Sequence, residues 1–232
     1  MAHEIGIGVL VGIDMGRRMT ATDLFMRAKC LLEKRVNEWE TIESFIIPVL
    51  MYLGWHVTYF GHRVKLYRNS SSDFDLVFAK GKEILLAVEA KRISTDILAT
   101  SANKSSESAS NCSLPVQVAT YATKRDGSRS RFDLDKNYTH VLWTNGVHWV
   151  HFEDCSWNGV ELNDVFKSTL TESFRRLKHD KEVPYFKRTT ILEKTNGDWS
   201  EEIFIERLEE LKFIIGYNKV RGKYQTAQQR GG

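Results

Sequence analysis

The sequence predicts an α/β domain, and three observations predict it. Residues 84–88 (Ile-Leu-Leu-Ala-Val) form a continuous apolar run bounded by turn residues, the pattern of a strand buried on both faces. Asn145-Gly146 separates two further strand-like runs, residues 138–144 and 147–152, which is a strong short-range hairpin signal. Around these strands lie segments with helical spacing, at residues 20–36, 162–177 and 199–215. A chain of 232 residues suits one domain, or one domain with appendages, and can bury a proper core.

Taken in order, residues 5–13 are apolar but short and glycine-rich, and an acid precedes them. They read as a flexible leader or an edge strand, not a signal peptide. From Thr20 the residues Leu24, Phe25, Ala28, Leu31, Leu32 and Val36 recur at helical spacing, with Thr20 or Thr22 available as the cap. The helical segment continues through residues 40–55, where Pro48 must either kink this helix or sit in the first turn of a new one. Gly54 then fits a C-terminal cap. Residues 57–60 and 64–67 read as short strands, followed by the pair 76–78 and 84–88 around the turn Ala79-Lys80-Gly81-Lys82. Residues 101–113 are rich in serine and asparagine and read as a mobile loop. Pro115 opens a helical segment in which Gln117 and Tyr121 share a face at i and i+4. Residues 186–192 read as a strand or a loop, and the basic tail 218–232 as disordered.

Composition narrows the class. The hydrophobic fraction of 42% and charged fraction of 27% are ordinary for a soluble globular protein, and a net charge of +3 does not by itself announce nucleic-acid binding. Cys30, Cys112 and Cys155 are odd in number and far apart, so neither a disulfide framework nor a structural zinc site is indicated, and a reducing, cytoplasmic location fits. No apolar run approaches the ~20 residues that span a membrane. His148 and His151 lie three apart on a strand-like run, facing opposite sides, and cannot jointly hold a metal without help.

The residues that suggest chemistry sit at the end of the central strand pair. Side chains alternate along a strand, so Glu89 and Lys91 share one face and Ala90 points to the other. If the two strands pair as a hairpin, Asp75 comes level with Glu89. Asp73 lies two residues earlier on the same strand face; the spacing favours Asp75. Asp75 and Glu89 then supply the hard oxygen ligands that Mg²⁺ prefers, leaving positions for water and a phosphate oxygen. A metal there acidifies its bound water, and Lys91 can orient a nucleophile or stabilise developing charge. Basic residues cluster at His62-Arg63-Val64-Lys65 with Arg68, at Lys124-Arg125 with Arg129 and Arg131, and at Arg175-Arg176 with Lys178. Those lining a cleft around Lys91 would form a phosphate-contacting rim.

Asp75, thirteen residues and then Glu89-Ala90-Lys91 resembles the bipartite signature of the PD-(D/E)XK nucleases. The following Gln117-X-X-X-Tyr121 resembles the accessory motif of the branch that includes the amino-terminal nuclease domain of type I restriction enzyme motor subunits. Glu40-Thr41, Ile47-Pro48-Val49-Leu50 and Leu53-Gly54-Trp55 are similar to that branch's first helix, and residues 142–149 to its late hairpin. The resemblance covers roughly residues 36–153. It implies a restriction-endonuclease-like mixed central sheet flanked by helices, over residues 20–160, with a helical C-terminal extension over 161–217. It further implies Mg²⁺-dependent hydrolysis of DNA phosphodiester bonds, with Mn²⁺ able to substitute, and a homodimer or other restriction-system subunits as partners. Asp75 and Glu89 would be metal ligands, joined by the carbonyl of Ala90, and Lys91 the catalytic lysine. Glu40 would be the helix-borne acid completing the site, with Glu43 as its competitor. Gln117 would steady the catalytic site or the nucleic-acid backbone, with Tyr121 packing or hydrogen bonding beside it, and Lys91, Gln117, Tyr121, Lys124 and Arg125 would contact DNA. Phe74 stands where the name-giving proline would be, and no Gly-X-X-X-X-Gly-Lys-Ser/Thr motor motif occurs, so the expectation is a stand-alone nuclease domain or a fragment. The alternative is a catalytically silent DNA-binding or protein-interaction module on the same fold.

Overall fold

The strands expected from apolar runs assemble into one mixed sheet. In a computed structural model, which describes residues 3–4, 19–55, 65–68, 75–80, 83–98, 140–152, 164–216 and 220, that sheet has eight strands. They are β1 (His3–Glu4), β2 (Lys65–Arg68), β3 (Leu76–Lys80), β4 (Glu83–Ala90), β5 (His140–Thr144), β6 (His148–Phe152), β7 (Glu182–Val183) and β8 (Phe186–Thr190), in the order β1-β2-β3-β4-β5-β6-β8-β7. β4 and β5 run parallel, and the other described pairs are antiparallel. A parallel pair demands a long crossover, here residues 91–139. The expected helix carrying Gln117 and Tyr121, together with Lys124 and Arg125, falls inside that crossover and lies outside the described residues, as do residues 57–60, the leader and all of the tail except the buried Val220. Among the described residues no helix is long and apolar enough to cross a membrane.

Three helices pack on one face. α1 (Ala21–Lys34) starts at Thr20, whose hydroxyl accepts from Asp23 N while the Asp23 carboxylate accepts from Thr20 N, a reciprocal cap. α2, residues 38–52, runs on through a π turn at Ile42–Ile46. Pro48 follows that turn and explains it. Lacking an N–H, it cannot bond the carbonyl of Ser44, and Arg27 Nη1 reaches across from α1 to donate to that oxygen at 3.2 Å. Gly54, at φ 93°, closes the helix as its position predicts. α4 (Glu201–Ile215) lies against α1, with Phe25 and Phe204 rings 5.6 Å apart. Its last carbonyl, Ile215 O, accepts from the buried Trp55 indole at 2.8 Å. Leu24, Phe45, Leu50, Phe204 and Leu208 from these helices meet Leu76, Phe78, Leu86, Val88, Leu142 and Trp149 of the sheet in a single core. α3 (Asp164–Arg176) serves the opposite face, where Phe174 packs on Trp143 and Phe186. Leu86, Ala87 and Val88 are all fully buried, so β4 is covered on both faces as its apolar run predicts.

The segment expected as a helical extension instead belongs to the body of the fold. β8 pairs along its whole length with β6, and α4 supplies a wall of the core. The hairpin at Asn145-Gly146 also differs from a two-residue turn. The last ladder pair is Thr144↔Trp149, leaving four residues between, because Asn145 folds its side chain inward and braces the loop. Gly146 sits there at φ 87°, and a Cβ on it would lie 2.7 Å from Phe45 Cδ1. Gly146→Ala therefore combines a left-handed backbone with a core clash. It should cost about 2–3 kcal/mol in a denaturant titration; a loss within error of zero would contradict the geometry.

Candidate active site

The register of the central pair fixes the site. Leu76 pairs with Val88, and one step further the same register sets Asp75 level with Glu89 at the end of β4. Asp75 Oδ2 accepts from Ala90 N at 2.7 Å, which holds that carboxylate against the β4 backbone. Glu89 is 4% exposed and lies beside Trp143 of the parallel strand β5. Lys91 follows directly, its N–H donating to Thr144 O at 2.7 Å, so the ladder carries the chain one residue past the strand. Its ammonium donates to Glu89 Oε1 at 2.6 Å and to the Ala90 carbonyl at 2.8 Å.

Two buried polar side chains anchor the segment after Lys91 from opposite sides. Thr41 on α2 accepts from Ile93 N at 3.1 Å and donates to Asn37 O at 2.9 Å. Asn145 donates to Thr95 O at 2.8 Å and accepts from Val147 N and His148 N. One ties α2 to the site and the other ties in the β5–β6 loop. The backbone that carries Lys91 is thereby fixed by secondary elements rather than by a free loop.

The helix-borne acid that reaches this place is Glu38. Its Oε2 stands 3.8 Å from Lys91 Nζ. Glu40 does not face the ammonium: it occupies the third position of α2 and its carboxylate turns back to accept from Asn37 N at 2.9 Å, while Asn37 Oδ1 accepts from Glu40 N. Glu43 lies in the π turn, and the carboxylates acting on Lys91 are Glu89, Asp75 and Glu38. The sequence did hold the signal. Asn37-X-X-Glu40 is a capping-box pattern, which commits Glu40 to the cap and leaves Glu38, at the first helical position, to face outward.

Electrostatics at the site are set by burial and crowding. Burial pushes the Glu89 carboxyl up to about 7, the neighbouring Asp75 charge adds to the rise, and Lys91 opposes it. Burial pulls the Lys91 ammonium down, but the Glu89 carboxylate, then Asp75 and Glu38, more than offset that, and its pKa stands raised. Lys91 is thus a firmly protonated cation clasped by acids. Among the described residues no three His, Cys, Asp or Glu side chains stand together as a metal-holding group. Any metal here would rely on the two carboxylates, a backbone oxygen and outside ligands.

The other histidines are accounted for separately. His148 and His151 do face opposite sides: His148 Nδ1 lies 3.0 Å from Thr190 Oγ1, and His151 Nε2 lies 2.7 Å from Nδ1 of the buried His140. Burial, with Arg188 nearby, pushes His148 down to about 4, so it is a neutral ring at physiological pH.

No family model matches this chain, and neither does any curated protein or solved structure.

Proposed function

We propose that this protein is a Mg²⁺-dependent deoxyribonuclease of the PD-(D/E)XK type, built on a restriction-endonuclease-like fold and acting on DNA in the cytoplasm. The observation that carries the reading is the convergence at the end of β4. The Lys91 ammonium bridges Glu89 Oε1 and the Ala90 carbonyl there, and Asp75, level with Glu89, is tied to Ala90 N beside them.

The donor set fits the metal. Asp75, Glu89 and the Ala90 carbonyl are hard oxygens, and Mg²⁺ takes few protein ligands while keeping several waters. Glu89 is pushed up by burial first and by the Asp75 charge second, and the second, the crowding of two carboxylates, is what a divalent cation at this place would relieve. When bound, the metal supplies an acidified water and a counter-charge for the scissile phosphate. The chain's own residues do the rest. Ala90 N holds Asp75 in a fixed orientation, so the carboxylate need not reorganise. Lys91, whose ammonium lies at this strand end, presents a positive charge where negative charge grows on phosphorus-bound oxygen. Water attacks phosphorus, the bond to the leaving sugar oxygen breaks, and that oxygen takes up a proton. Glu38 faces Lys91 from the helix side, in the place expected of Glu40 as the acid completing the site. Gln117 and Tyr121, with Lys124 and Arg125, would steady the DNA backbone from the crossover.

Incubation of the purified chain with plasmid and linear DNA in Mg²⁺ or Mn²⁺, with EDTA controls, tests the reading. Metal-dependent cleavage is expected, and its absence with every DNA form would overturn it. DNA binding should be mostly electrostatic and not sequence-specific. Log affinity is then expected to fall by about 0.9 per log unit of salt for each duplex phosphate contacted. Tight binding to one short sequence that persists at high salt would contradict this.

A further inference from the structure

Lys91 does more than stand beside the proposed metal position. Its ammonium takes the two oxygens, Glu89 Oε1 at 2.6 Å and Ala90 O at 2.8 Å, that the nuclease reading assigns to the metal. A Mg²⁺ ion held at ~2.1 Å from the same oxygens would fall in the same wedge. A divalent ion and the ammonium in that wedge would stand in contact and repel each other, so the two compete for it. The lysine is also not locked in place by its stem. Its side chain is 20% exposed and carries four rotatable bonds, while the Glu38 carboxylate, 44% exposed, waits 3.8 Å away. Backbone contacts on either side, Lys91 N to Thr144 O and Ile93 N to Thr41 Oγ1, keep the main chain still while the side chain swings.

We propose that the Lys91 ammonium is a built-in occupant of the cation position, and that a divalent metal binds by displacing it from Glu89 and the Ala90 carbonyl towards Glu38. Rest and action would then be two positions of one side chain. Without metal the ammonium offsets the charge of the buried carboxylates. With metal the same group is released to the substrate side, so the metal and the catalytic charge arrive in one event. The inference rests on the proposed metal-dependent nuclease reading and extends it to the order in which the site assembles.

Amine labelling of the full chain reads this directly. Ca²⁺ serves as the probe, its binding is followed by calorimetry, and acetylation of Lys91 is quantified by peptide mass spectrometry against the exposed Lys178. Release from a charge-assisted hydrogen bond should raise the Lys91 labelling rate by roughly tenfold, with the same midpoint in Ca²⁺ as the binding heat. In Glu38→Gln the rise should be larger still, because the displaced ammonium loses its landing partner. Calcium binding with unchanged Lys91 labelling overturns the displacement and leaves the nuclease reading standing. An equal rise in Glu38→Gln removes Glu38 from the proposal. Absence of binding heat for both Ca²⁺ and Mn²⁺ overturns the displacement and the metal site together.

Discussion

Lys91→Ala is expected to abolish cleavage while leaving fold and DNA affinity close to those of the wild type. The usual objection to such a variant is that removing one partner strands a buried charge, at a cost of several kcal/mol. Here the stranded partner can discharge itself. Glu89 already titrates at about 7 with Lys91 in place, and Lys91 is the group that pulls it down, so without the lysine Glu89 takes up a proton near neutral pH. The backbone around the site is held by Thr41, Asn145 and the Thr144 carbonyl, none of which depends on the Lys91 side chain. Catalysis has no such substitute. A positioned proton donor or charge stabiliser contributes on the order of 10²–10⁴-fold, and the plasmid-nicking rate should fall by that amount. Circular dichroism melts and DNA titrations should barely move. Wild-type-like turnover from purified Lys91→Ala would remove the lysine from the mechanism.

What the sequence made legible, and what it did not, divides along the range of the interactions. The alternation of Glu89, Ala90 and Lys91, and the register that brings Asp75 level with Glu89, follow from the two-residue period of a strand and a short turn. Both are local, and the ladder from Leu76↔Val88 agrees with them. The Thr20 cap and the Gly54 stop are equally local. Glu38 is a middle case: three acids lie within six residues, and the Asn37-X-X-Glu40 pattern, realised as reciprocal bonds, commits Glu40 to the cap. Thr41 and Asn145 were not legible as supports of the site. Each acts on a residue about fifty positions away, and nothing in a threonine or a turn asparagine announces such a partner. The same holds for Arg27, which satisfies the carbonyl that Pro48 leaves open. It holds again for β8, whose mixed composition becomes a strand only when β6 offers it an edge.

Asp75→Asn should change the melting temperature in opposite directions with and without metal. Consider EDTA first. Glu89 has its pKa raised from an unfolded value of 4.5 to about 7, so the folded state prefers the protonated form. Stability from this group is fully present below about pH 4.5 and is lost as pH rises through about 7, a loss on the order of 3 kcal/mol. Burial is the larger cause and the Asp75 charge the next, so the asparagine removes part of the loss but not all of it. It also keeps an oxygen that can accept from Ala90 N, which the carboxylate now does at 2.7 Å. In EDTA at pH 8 the variant should therefore melt at or slightly above the wild type, and by pH 5 the advantage should vanish. Metal reverses the order. A ligand that binds only the folded state stabilises it by about 2.7 kcal/mol at a hundredfold excess over its Kd. The variant, with one anionic ligand gone, should lose most of that gain together with its activity. An Asp75 that merely tied the strand end to Ala90 would behave otherwise, weakening the fold by a similar amount in both conditions. Melting curves at pH 5 and pH 8, each with EDTA and with Mn²⁺, separate the two, and equal destabilisation in all four would rule out a shared metal site at Asp75 and Glu89.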